Sequence, residues 1–512
     1  MNQARLLLSH SHNHFCPDRN LNKKRRMRRW IVAVGALLFL AWTVNSDAGR
    51  VSVTLDRIDP GPNPFISFIT LRISDPAALV STKFTVRPKP HSQTRAIAAT
   101  YTSGYLQSQG YFNVRNGRLT LPVFGLYQNF SNRVVVRSDF NDGSSEQKTF
   151  IVPTADFDGN VFDSPTIVQA RLPDTTLSYD FMLLKSVILD SNPVIIDSDA
   201  EIRWVATAPV KTQNSMLFDN AIYVADGTSL VRQEFDGRYQ TLADYSSLGV
   251  TGFHHNFDPG RDGIIMDVDT ADWTECVNIE VDRAGNVLRT WNLADIISAA
   301  MIAGGDNPDD FIQPAPADWF HNNATAYRKS DDSLIVSSRE NFVIAIDYDT
   351  GAIKWILGDP TKHWYEFPSL RAFALNLGPD SLPPIGQHAV SFFGDELLLF
   401  DDGAGSTYQM PPGESRSYSA PRRYAIAGNT ATEVWHYLAD PPIDSPFCSS
   451  VYEDKPDNYF IDYTLAGPNI STDLVALDAT GNIAFYYQYP EVIGCGTAWN
   501  AIPIHLEDLH FN

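Results

Sequence analysis

Three histidine segments and one arginine carry the chemistry that can be read from this chain. Asp318-Trp319-Phe320-His321-Asn322-Asn323 runs through Tyr327 to an Asp331-Asp332 turn, then Leu334-Ile335-Val336 and Ser337-Ser338-Arg339. The second short apolar run, set off by the turn, predicts two paired strands, with His321 and Arg339 at the same end. An imidazole and a guanidinium converging there suit an oxyanion substrate; the plainer alternative is a surface hairpin with a polar rim. Gly252-Phe253-His254-His255-Asn256-Phe257 and Gly386-Gln387-His388 stand at comparable places before hairpins of their own. A lone histidine on a strand is more often structural than catalytic, but three at matching places beside an arginine point to a site. Three imidazoles also suit zinc. No inward carboxylate or cysteine completes such a set, and Arg339 would repel a cation, so no metal and no cofactor is expected. Asp258, Asp262, Asp267 and Asp269 are calcium candidates better explained as turn carboxylates. Arg422-Arg423 either extends the cationic pocket or is a solvated pair. Ser449, Ser450 and Thr464 are further channel candidates with nothing to choose between them. No Gly-x-x-x-x-Gly-Lys-Ser/Thr loop is present to cradle a nucleotide phosphate.

The elements that must position these residues recur. A strand, a turn with Asp or Gly, and a second strand often ending in Trp appear six times: at 195–204, 232–239, 279–291, 344–355, 424–435 and 474–485. A further hairpin lies between copies, as at 263–267 and 396–400, so each unit holds four strands. Six such units predict an all-β fold, a six-bladed β-propeller over residues 156–512. Its largest loops are 293–317 and 358–385, placed where loops cover a site. Short alternating runs between Val51 and Pro153 predict a small N-terminal β-sandwich over 49–155.

The chain has 512 residues, 44% hydrophobic and 12% aromatic, which suits more than one packed core. A net charge of −21 argues against nucleic acid as a partner. The basic run Lys23-Lys24-Arg25-Arg26, with Arg28-Arg29, precedes an apolar run over 30–44. That pattern predicts that residues 1–48 form a basic N-terminus with a signal peptide or a membrane-anchor helix, and export of the remainder to the periplasm or another extracytoplasmic space. The membrane would then be touched only by this segment. Of the four cysteines, Cys16 precedes the signal, and Cys448 and Cys495 could pair in an oxidising compartment.

The ordered run from Asp318-Trp-Phe-His-Asn-Asn323 through Ser337-Ser-Arg339, Ile344-Ala-Ile-Asp and Ile353-Lys-Trp-Ile-Leu-Gly358 to Gly386-Gln-His388 resembles the bacterial-type arylsulfate sulfotransferases. Phe253-His-His-Asn-Phe-Asp258 is similar to that family's earlier histidine segment, and 125–132 to its N-terminal β-domain. The resemblance implies an exported six-bladed propeller, often a homodimer. Such an enzyme moves a sulfuryl group from a phenolic sulfate donor to a phenol acceptor without a nucleotide donor. It also implies His388 as the nucleophile that becomes sulfated, with His255, His321 and Arg339 around the sulfuryl oxygens and the leaving phenolate. Asn323 and His254 are implied as neighbours in the substrate shell; the His-x-Phe-Asp match selects His255 over His254. The family's short disulfide loop has no clear counterpart. Two rivals are a quinone-dependent dehydrogenase-like propeller, suggested by 345–355, and a non-catalytic exported propeller that binds partners.

Overall fold

The structure is a computed structural model describing residues 51–187, 193–208, 214–468, 470–491 and 494–512. The basic and apolar runs before residue 49 and Cys16 lie outside the described residues. Among the described residues no helix is long and apolar enough to cross a membrane.

Strands dominate, as their β-branched and aromatic composition requires. Two sheets come from the first hundred or so described residues. One holds Val53–Pro60, Ile66–Ile73, Arg118–Phe124 and Phe112–Asn113; the other holds Leu79–Val86, Ile97–Thr102, Ser131–Phe140 and Ser145–Pro153. Their inward residues, among them Ile69, Leu71, Phe84, Val86, Leu121 and Val134, form one dry core. The chain's last strand, Leu509–Phe511, returns to this domain and pairs parallel with Ile97–Thr102.

Six antiparallel sheets follow, each with four principal strands. The repeated hairpins supply the third and fourth strands of each, as Val343–Asp347 with Ile353–Leu357 illustrates. The first of the six joins Phe181–Lys185, Val194–Asp197 and Ile202–Val205 to the late strand Asn500–Ile504. The opening strands of the other five are Ser215–Phe218, Val250–Pro259, Asn322–Arg328, His388–Phe393 and Ser450–Lys455. These five, in that order, pack successively side by side, and Ser450–Lys455 packs on Asn500–Ile504. A cavity of about 540 Å³ is lined by Met216, Phe257, Thr325, Val390, Tyr452 and Ile502, one residue from each of the six strands.

The loop expected over 293–317 contains a 12-residue helix, Leu293–Gly304. Asn292 caps it by accepting from the Ala294 and Asp295 amides, and Gly305 closes it with φ 89°. Leu293, Ala294, Ile297 and Met301 bury into a core with Phe311, Trp364 and Trp319-Phe320, the last two directly preceding His321.

Arg203 fastens the first sheet to the N-terminal domain. Its guanidinium, fully buried, donates to Asp197 Oδ2 at 2.8 Å and to the Gly125 carbonyl at 2.6 Å, and lies 3.7 Å from the Tyr127 ring centre. Burial pushes the Asp197 carboxyl up to about 6 against the pull of Arg203. Arg203→Ala strands that carboxyl without its partner and should cost about 3–5 kcal/mol. Urea denaturation checks this; an unchanged midpoint would mean the pair contributes nothing.

Candidate active site

Three successive opening strands carry the same local distortion at their histidines. Pairing register breaks between His254 and Phe257, between Asn322 and Ala324, and between His388 and Ser391. His255, His321 and Ala389 take φ of 42°, 53° and 52°. Such register breaks, with the backbone at positive φ, re-aim side chains that a regular pleat would send to the sheet face. Gly386 has φ 62°, and a Cβ there would meet the Ala404 carbonyl at 2.6 Å, so the approach to His388 needs glycine.

The breaks bring His255, His321 and His388 together: one ring nitrogen of each lies within 4.8 Å of the others. The His255 ring centre is 4.8 Å from that of His321 and 6.2 Å from that of His388. Arg339 joins them through the hairpin, its amide donating to the His321 carbonyl at 3.0 Å. Its guanidinium is buried; Nη1 donates to Glu340 Oε1 at 2.6 Å, while Nη2 has no protein acceptor among the described residues. The site's best-placed buried donor is therefore left for a ligand.

Each imidazole is held from behind. His388 Nδ1 lies 3.0 Å from the Gly386 carbonyl and 2.7 Å from Asp402 Oδ2. A carbonyl only accepts, so Nδ1 carries the proton and Nε2 keeps its free electron pair. Burial, reinforced by the charges of His255, Arg339 and His321, holds His388 well below the ordinary imidazole range. Burial also pushes the Asp402 carboxyl well up, against Arg339. Glu275 serves three rings at once: Oε2 lies 3.3 Å from His255 Nδ1 and 3.2 Å from His321 Nδ1, and Oε1 contacts His254 Nδ1. Asp318 also pairs with His321 Nδ1. Burial lowers His321, but Glu275 and Asp318 outweigh it and the net shift is upward; for His255 burial wins and the shift is downward. The cluster thus holds two neutral imidazoles and one that favours the proton.

The remaining expected neighbours sit differently. His254 is a third exposed and turned to Glu275 and Asp269; burial opposes its proton, yet Glu275 raises it to about 9. Asn323 is buried and donates to the Gln387 carbonyl at 2.8 Å, bracing the strand of His321 against the loop of His388. The expectation that no inward carboxylate approaches the histidines is corrected by Glu275, Asp318 and Asp402. A metal could be offered the three imidazoles, His255 with Asp267 and Glu275, or Glu275 with Asp318 and His321; a neighbouring guanidinium and a proton-favouring His321 suit an anion instead. Of the calcium candidates, Asp258 accepts from Thr325, Asp262 from Arg289 and Asp269 from the Glu275 amide, while Asp267 is buried beside His255 and Glu275. Arg422 and Arg423 are tied to Asp401, Glu433 and Glu453 and extend no anion pocket. Cys448 and Cys495 form a disulfide, and Cys276 is a buried free thiol.

Comparison with known proteins bears on this constellation. A family model described as "Arylsulfotransferase (ASST)" matches residues 168–490, and one described as "Arylsulfotransferase Ig-like domain" matches residues 73–155. A relative from Escherichia coli O6:H1 named "Arylsulfate sulfotransferase AssT" is 23% identical over 502 residues, covering 76% of this chain and 80% of its own. One of the same name from Lelliottia amnigena is 22% identical over 527 residues, covering 81% and 85%. A solved structural-genomics protein of unknown function from Bacteroides thetaiotaomicron VPI-5482 covers 90% of this chain and 92% of its own at 11% identity, with a TM-score of 0.28, which carries no argument about fold.

Proposed function

The chain belongs to the arylsulfotransferase family, and from that premise we propose that it moves a sulfuryl group from a phenolic sulfate ester to an acceptor phenol through a sulfated His388. The observation that carries this reading is the fixed tautomer of His388 beside a buried, unclaimed guanidinium nitrogen.

Nε2 of neutral His388 attacks sulfur; the N–S bond forms as the bond from sulfur to the phenolic oxygen breaks. The departing phenolate takes the proton that Glu275 and Asp318 favour on His321. Arg339 donates to the sulfuryl oxygens and His255 lines the space beside them; their single negative charge is spread over three atoms, so a preorganised donor does most of the work. In the second half, the acceptor's oxygen attacks the same sulfur, its proton returns to His321, and His388 leaves with its electron pair. His254 and Asn323 act one step back, through Glu275 and through the His388 loop. No nucleotide enters this scheme, in keeping with the missing phosphate loop.

The six sheets are read as blades of a propeller, a reading supported by a cavity lined by the first strands of all six and by the late strand completing the first sheet. The basic and apolar N-terminal runs, together with a disulfide among the described residues, support export.

The test is a two-substrate rate study with an aryl sulfate and phenol, and no nucleotide. A covalent intermediate predicts parallel double-reciprocal lines, and sulfur-labelled donor without acceptor should leave one label on His388. Intersecting lines with no labelled protein would sink the two-step scheme.

A further inference from the structure

Two aromatic rings border the anion-binding groups, and neither has a role in the transfer itself. The Phe447 ring centre lies 4.8 Å from the Arg339 guanidinium carbon. The Trp499 indole lies 5.7 Å from the His255 ring at an interplanar angle of 75°. Phe447 is 39% exposed and Trp499 only 4%. One ring is therefore within reach of an arriving molecule, and the other is a fixed wall. The indole Nε1–H meets no protein acceptor among the described residues, and the Lys185 ammonium lies 5.8 Å from its ring centre.

The segments bearing these rings are tied twice. Cys448, next to Phe447, is bonded to Cys495, upstream of Trp499, with Cα atoms 6.2 Å apart. The Ser449 amide donates to Thr464 Oγ1 at 3.0 Å, and that hydroxyl donates to the Ala498 carbonyl at 2.8 Å. Cys448, Ser449 and Cys495 take φ of 62°, 71° and 60°, a left-handed backbone unfavourable for residues with a Cβ. The cross-link and the Thr464 bridge hold a conformation the segment would not keep alone. The result is one aromatic ring over the guanidinium and another against the imidazole of His255.

We propose that the Cys448–Cys495 bridge positions Phe447 and Trp499 as an aryl-selecting pair, so that preference for ring-bearing sulfates is set by these residues and depends on the intact disulfide. This rests on the sulfotransferase reading. With the sulfuryl group held at Arg339 and the histidines, an ester substituent leaving on the Phe447 side meets an exposed ring 4.8 Å from the guanidinium. A planar ring gains offset or edge contacts there that a short alkyl group cannot make.

Benzenesulfonate and methanesulfonate separate the two ideas, because both carry the sulfuryl oxygens and neither has an S–O ester bond to transfer. Isothermal titration of the wild-type chain should show benzenesulfonate binding about tenfold more tightly. Phe447→Ala and Phe447→Leu should shrink that ratio to about twofold, with methanesulfonate affinity unchanged. Wild type reduced with dithiothreitol, or Cys448→Ser combined with Cys495→Ser, should lose the preference in the same direction. If the cysteine pair variant fails to fold, reduced wild type and the Phe447 variants still decide the matter. An undiminished ratio in the Phe447 variants overturns the selection, as does a reduced wild type that keeps its full preference. A wild type that binds both sulfonates alike overturns the selection alone; one that binds neither overturns the sulfuryl site and this inference with it.

Discussion

His388→Asn should abolish sulfuryl exchange, lowering kcat by about ten-thousandfold or more, the scale seen when a covalent nucleophile is removed. The side chain is small enough to fit, and its amide can still donate to the Gly386 carbonyl, so the thermal midpoint should change little. Only the free nitrogen lone pair is lost. Chromogenic aryl sulfate with phenol gives the rate, and circular dichroism gives the fold; a variant retaining even a tenth of wild-type exchange would exclude His388 as the bonded atom. The same environment sets the pH profile. An ordinary imidazole nucleophile would fade below about pH 6. Because burial and the charges of His255, Arg339 and His321 depress His388, its neutral form persists to lower pH, and wild-type activity should too. The opposite limb belongs to His321, whose raised affinity for protons supplies the leaving phenol. Its contribution is present at low pH and is lost as pH rises through that raised value.

The histidines were legible because the repeat made them so: three strands with broken register in consecutive sheets place equivalent side chains at one point, and a repeat is visible as spacing. Arg339 was legible because a hairpin joins its position to His321. The carboxylates behind the rings were harder. Asp318 carries a local sign, standing three residues before His321 just ahead of the register break. Glu275 does not. It enters from the loop just before the third strand, Val277–Val281, of the preceding sheet, with φ 46°, and reaches His254, His255 and His321 through tertiary packing alone. Asp402 ends the Glu396–Asp401 strand, where an acidic doublet looks like a turn. Helix Leu293–Gly304 was missed because it interrupts the repeat, although Asn292 and Gly305 are ordinary helix signals at its ends. The disulfide was legible as a possible pairing, since Cys448 and Cys495 flank the last strand units of an exported chain; their spacing of 47 residues alone did not fix it.

Arg339→Lys should lower kcat by about a hundred- to a thousandfold, the usual cost of one lost oxyanion donor. The geometry leaves lysine little to offer. Glu340 takes Nη1 at 2.6 Å and also accepts from the Thr407 and Tyr408 amides at 2.8 Å each and from Ser406 Oγ. Burial works against that charge, but those hydrogen bonds and Arg339 hold the Glu340 carboxyl at about 2, so it stays ionised throughout the working range. An ammonium at position 339 would be drawn to Glu340 and would have no second, rigidly offset nitrogen where Nη2 now waits buried and unclaimed. The charge is kept and the fork is lost, so a larger fall in kcat than rise in KM is expected: ground-state attraction survives, while the donor aimed at the transferring group does not. Arg339→Ala should be worse than Arg339→Lys and partly rescued by added guanidinium, which can re-enter the vacated space beside Glu340. A lysine variant within twofold of wild type in kcat would mean that the fork does not touch the sulfuryl oxygens. Its buried nitrogen would then need another explanation.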